Sequence, residues 1–183
     1  MLKHQIEPYK EFTQNYYTDR DTAHDFRHIE RIISRLELLS QEMSPSPDKA
    51  LLYFLACFHG LGKNICDNSL FCERVKYFLL DLEWNETQIK NAFQSLERHI
   101  INPQTVEEAI VHDANYVELL GAFGVAKAFT TGGARKQTYE ETADIFEYQY
   151  LDRVAFITPM GKRLAEEKRN YTKEFFKRLR SEL

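Results

Sequence analysis

Apolar residues recur at three- and four-residue steps through much of the chain. Ile29, Ile32, Ile33, Leu36 and Leu39 make one stripe, and Val75, Phe78, Leu79 and Leu82 make another. A period near 3.6 predicts amphipathic helices with one face toward a core. The first stripe should stop before Ser44-Pro45-Ser46-Pro47, because proline disfavours helical geometry in the residue before it. Asp48 is then placed to cap a helix that is apolar on all sides from Ala50 to Phe58, the pattern of a central, buried helix. Gly60 and Gly62 are expected to end it, since glycine accepts the left-handed conformation of a helix terminus. Asn85 with Gln88, and Thr105 with Glu108, have capping-box spacing. The helix after Thr105 would carry Val106, Ala109, Ile110, Asp113, Val117 and Leu120 on one side. Thr158-Pro159 predicts the start of the last helix, and Thr130-Thr131-Gly132-Gly133-Ala134 is the strongest loop signal. No stretch alternates convincingly with a period of two, and there is no internal repeat or linker. The pattern predicts an all-α fold, a helical bundle forming a single domain over residues 1–183.

Composition narrows the function classes. A length of 183 residues with 43% apolar content suffices for one core. The net charge of −4 supplies no cationic track for a nucleic-acid backbone. The longest apolar run, Ala50 to Phe58, is far too short to span a bilayer, and residues 1–7 lack the apolar stretch of a signal peptide. Cys57, Cys66 and Cys72 are odd in number and show no CxxC spacing, as expected of reduced thiols in a cytoplasmic protein. Ten Tyr and thirteen Phe could furnish a protein-binding face, but most such residues are simply core, and no protein partner is identified.

Three short blocks carry chemistry: Asp21-x-x-His24-Asp25-x-x-His28-x-x-Arg31-Ile32, then Cys57-Phe58-His59-Gly60-Leu61-Gly62-Lys63, then Val111-His112-Asp113-Ala114-Asn115. His59 ends a buried apolar helix and Asp113 lies on the apolar side of another, so each needs a partner, a metal or a hydrogen bond. His24 and His28, four apart, suggest a zinc peptidase, but that motif needs Glu after its first His and Asp25 reaches less far. In order and spacing the blocks resemble the HD-domain superfamily of metal-dependent phosphohydrolases, in its single-domain branch with an HDxxHxxR(V/I) opening. The stretch 119–127, Gly132-Gly133 and the run from Thr158 to Glu166 are similar to later signatures of that branch. The resemblance covers residues 21–183, leaving 1–20 as an N-terminal helix or extension.

The resemblance implies a metal held by His28, His59, an Asp at position 60 and Asp113. Position 60 is Gly60, so a divalent metal (Mn, Mg, Zn or Fe) would be held more weakly, by two His and one carboxylate. Asn115 and Gln149 also depart from the family pattern, where the resemblance implies Asp and Lys. His99 matches a pocket histidine that could contact phosphate or act as an acid. Lys63 and Lys127 are either phosphate contacts or solvated surface lysines. Two functions follow as expectations. One is a phosphohydrolase-like protein that binds a small phosphorylated molecule or a partner with little or no turnover. The other is an altered but active phosphohydrolase of small phosphoesters or nucleotides.

Overall fold

The computed structural model describes residues 4–18, 20–21 and 23–183. The expectation for the first seven residues therefore falls partly on residues 1–3, outside the described ones. Among the described residues ten α-helices follow in chain order: α1 (Glu7–Thr13), α2 (Phe26–Ser40), α3 (Lys49–Cys57), α4 (Gly62–Asp67), α5 (Ser69–Asp81), α6 (Glu86–Arg98), α7 (Val106–Tyr116), α8 (Gly121–Ala134), α9 (Tyr139–Phe146) and α10 (Pro159–Glu182). Among the described residues there is no strand, as the periodicity predicts, and no helix long and apolar enough to cross a membrane.

Capping fixes most of the helix starts. Asp25, Asp48, Asn85 and Thr158 each accept a hydrogen bond from a backbone N–H of the first turn, and Asn85 with Gln88 completes a capping box. Thr105 caps α7, but the second half of its box is missing. Glu108 instead accepts from Gln104 N at 2.7 Å and from Arg98 in a fork of three contacts of 2.7–3.0 Å. A guanidinium offers more to a buried carboxylate than the cap amide does.

Two expectations are corrected. Residues 130–134 form the end of α8 and not a loop. A Cβ at Gly132 would collide with Thr142 of α9, so this glycine permits close helix approach. Gly60 does adopt the left-handed conformation, with φ +84°, whereas Gly62 opens α4.

Among the described residues the buried apolar side chains form two clusters. The first surrounds α3, with Ile29, Ile32, Phe54, Phe58, Leu79, Trp84 and Ile110. The second gathers Val117, Leu120, Ala143, Phe146 and Phe176 from the C-terminal part. Helix α7 belongs to the first along Ile110, Val111 and Ala114, and the chain enters the second at Val117. Leu164 of α10 packs against both.

Candidate functional site

Where the two clusters meet lies a cavity of about 320 Å³. His24, His28 and His59 line it at one end, beside Asn115 and Lys127, and Arg135 lines it from the end of α8.

His28 sits in the first turn of α2, where Asp25 caps its backbone N–H at 3.1 Å. Its ring Nδ1 lies 2.9 Å from Oε2 of Glu118. An ionised carboxylate only accepts, so Nδ1 carries the proton and Nε2 keeps its lone pair. Burial lowers the pKa of His28, outweighing the opposing pull of Glu118.

His59 follows α3 in a turn held by the Tyr17 hydroxyl, which donates to the carbonyls of Cys57 and His59 at 2.8 and 2.7 Å. Its Nδ1 is 2.9 Å from Nε2 of His99, and His99 Nδ1 is 2.7 Å from the Leu96 carbonyl. A carbonyl cannot donate, so His99 is protonated at Nδ1 and receives a hydrogen bond from His59. The lone pair of His59 is therefore also at Nε2. The two rings lie 5.4 Å apart, centroid to centroid. The two residues that the resemblance pairs are thus neighbours, with both Nε2 atoms left as acceptors.

Burial lowers the pKa of His99 to about 4 and pushes that of His59 well below its ordinary value. Both rings stay neutral when folded but take up protons when unfolded below about pH 6.5. Their contribution to stability is thus complete above that pH and lost as pH falls. Between pH 7.5 and 5, His99 alone should cost about 2 kcal/mol of unfolding free energy. Urea titrations at the two pH values should show the loss, and His99→Gln should shrink it.

Asp113 does not line the cavity with these histidines, so the ligand set that the resemblance implies is not assembled among the lining residues. Its buried carboxylate accepts from the backbone N–H groups of Ile157 and Thr158, from the Thr158 hydroxyl and from His112 Nδ1, at 2.7–3.1 Å. A Cβ at Gly161 would collide with it. The need for a partner is met by hydrogen bonds at the start of α10 and not by a metal. The residue of that block lining the cavity is Asn115, whose amide is uncharged.

The remaining candidates divide. Lys127 lines the cavity, where burial lowers its pKa. Lys63 is exposed on α4 and does not line it. His99 is buried behind His59, a positioning residue that fixes the His59 tautomer. Gln149 lines a separate depression with His112 and Arg153. A side chain at Gly60 would be strained by the positive φ, and its Cβ would lie 3.1 Å from Arg20 Nη1.

Glu118 is the residue that sequence reasoning missed. Fully buried beneath the cavity, it accepts from His28, from Arg31 Nε at 2.8 Å and Arg35 Nη1 at 2.9 Å, and faces Lys127 Nζ at 3.4 Å. Burial alone would raise its pKa, but these donors outweigh burial and hold it well below the usual carboxylate range. The signal was present: His28, Arg31 and Arg35 lie three and four apart on one face of α2 and require an acid opposite.

These donors do not fit a divalent metal. The imidazoles bring no negative charge to offset it, Asp113 is engaged elsewhere, and Lys127 adds repulsion. Among the described residues no three His, Cys, Asp or Glu are grouped to hold an ion.

No family model matches the chain. YpgQ from Bacillus subtilis is 22% identical to it, over 98% of this chain and 94% of that protein. An HD-superfamily hydrolase from Bacillus thuringiensis superposes with a TM-score of 0.78 at 20% identity, covering 100% of this chain and 98% of the other. The crystal structure of Bacillus subtilis YpgQ in complex with ADP superposes with a TM-score of 0.74 at 17% identity, over 98% of each chain.

Proposed function

This chain has the fold of the HD superfamily, and on that premise we propose that its cavity binds a small phosphorylated molecule with little or no turnover. The observation that carries this reading is the lining itself: three histidines, Lys127 and Arg135, with no carboxylate among the described lining residues. Lys127 and Arg135 donate charge-assisted hydrogen bonds to phosphoryl oxygens. A phosphate dianion against Nε2 of His28 draws a proton onto that ring. The imidazolium then bridges the ligand and Glu118, already held at Nδ1. The complex of YpgQ with ADP supports a nucleotide as one ligand to try.

Slow turnover follows from the same groups. Hydrolysis needs a hydroxide-like nucleophile, made by a metal or by a base with a pKa near the working pH. The metal does not fit, and both His28 and His59 are made weaker bases by burial.

Calorimetry with ADP tests the proposal. Binding should be tighter at pH 6 than at pH 8 with net proton uptake, and Lys127→Gln should weaken it at least tenfold. Absence of binding, or binding indifferent to Lys127→Gln, overturns it. Turnover of about 1 s⁻¹ or more with Mn, Mg or Zn supplied, abolished by His59→Ala, would establish an altered but working phosphohydrolase instead.

A further inference from the structure

We propose that the depression beside His112 is a second binding site, taking a flat heterocycle whose edge presents an N–H donor next to an acceptor, as a hypoxanthine or uracil ring does. Its volume of about 480 Å³ falls within the range of small-molecule sites, about 300–1,000 Å³. It is a different hollow from the histidine-lined cavity, although Ile100, Tyr116 and Tyr150 line both. The proposal does not depend on the phosphate reading.

His112 supplies the acceptor. The residue is only 7% exposed, and its Nδ1 donates to Oδ1 of Asp113 at 2.9 Å. With the ring proton held there, Nε2 keeps its lone pair. That atom has no hydrogen-bond partner among the described residues. Every fully buried side-chain nitrogen or oxygen among them does have one, so Nε2 reaches the surface of the depression. A carboxylate or phosphate placed against it would set lone pair against lone pair. An N–H of the ligand is the complement.

Arg153 supplies the donors. It follows a π-helical turn, Glu147–Leu151, which brings Gln149 and Tyr150 to the same depression. Its guanidinium lies 3.8 Å from the centroid of the Tyr148 ring and has no hydrogen bond or ion pair among the described residues. Its N–H groups can therefore take a carbonyl oxygen. The amides of Asn102 and Gln149, which also line the depression, can pair with either group of such an edge. A ring is favoured over an open chain by the surface that remains. Tyr116 packs 4.6 Å from the His112 ring, and Ile101 and Ile157 are left 86% and 39% exposed.

Inosine and 1-methylinosine test the proposal, titrated into the full chain at pH 7 with ligand-observed NMR reading the dissociation constants. The two differ only in whether the ring nitrogen beside the carbonyl carries hydrogen or methyl. Inosine should bind at least tenfold more tightly, because the methylated ring leaves the buried acceptor unpaired. Arg153→Met removes the donors and keeps an apolar stem, and should weaken inosine at least fivefold. Arg153 is exposed, so this variant should keep the wild-type melting temperature, which is measured first. Equal affinities for the two nucleosides, an inosine affinity indifferent to Arg153→Met, or no inosine binding at millimolar concentration would each overturn the proposal. Neither nucleoside carries a phosphate, so such a failure leaves the proposed function to be decided by ADP.

Discussion

Replacing Asp113 by alanine is expected to lower the unfolding free energy by about 3 kcal/mol or more. The carboxylate is fully buried and is the acceptor for two backbone N–H groups, Ile157 and Thr158, and for the Thr158 hydroxyl that caps α10. An unsatisfied buried donor costs about 1–3 kcal/mol. Thr158 is wholly buried, so water cannot replace its lost acceptor without rearrangement, whereas Ile157 is partly exposed and recovers some of the loss. Asp113→Asn should fall between wild type and alanine, because one carbonyl oxygen remains while the new amide hydrogens oppose the donors. Urea denaturation measures both variants. A loss below about 1 kcal/mol in Asp113→Ala would contradict this account.

Glu118→Ala should be nearly as damaging, by about 2–4 kcal/mol, and should also weaken phosphate binding. Removing one partner of a buried ion pair is costlier than never having had the pair, because the other charges stay behind. Here they are Arg31, Arg35 and Lys127, which are 12–28% exposed and regain part of their hydration. His28 loses the acceptor that fixes its tautomer, so its ring is free to turn from the cavity. At roughly 2–4 °C per kcal/mol for a chain of this size, the melting temperature should drop by about 4–16 °C. Glu118→Gln keeps the shape but not the charge and should recover only part. The sign with pH is fixed by the depressed pKa: stabilisation by Glu118 is complete above the ordinary carboxylate range and lost only in strong acid. An unchanged melting temperature in Glu118→Ala would show that the cluster is solvated in solution.

Local signals in the sequence were reliable where one helix turn contained both cause and effect. The stripe from Ile29 to Leu39, the Asp48 cap, the Asn85 box and the Thr158-Pro159 start all lie within a few residues of what they determine. The pairing of His28 with His59 was legible because the resemblance supplied their order and burial the reason. What failed was choice among long-range partners. Nothing near Asp113 shows that Thr158, 45 residues later, satisfies it. Nothing near Gly132 shows that Thr142 presses against it, so a glycine pair reads as a break although the helix continues. Glu118 was hidden because an isolated acid after an apolar helix looks solvated until Arg31 and Arg35 are set opposite it.

The cavity has walls from both apolar clusters: His28 and His59 adjoin Ile29 and Phe58 of the first, and Phe146 belongs to the second. Contacts between the halves run mainly through α7 and α10. A molecule seated there acts as a removable staple, holding the C-terminal helices to the N-terminal ones without any new covalent link. Binding there would link the opening of the two halves, so that occupancy at one seam would lower how often amides deep in α8 and α9 meet solvent. A ligand of this cavity is therefore expected to slow hydrogen exchange in the C-terminal half, whether or not any bond of that molecule is broken.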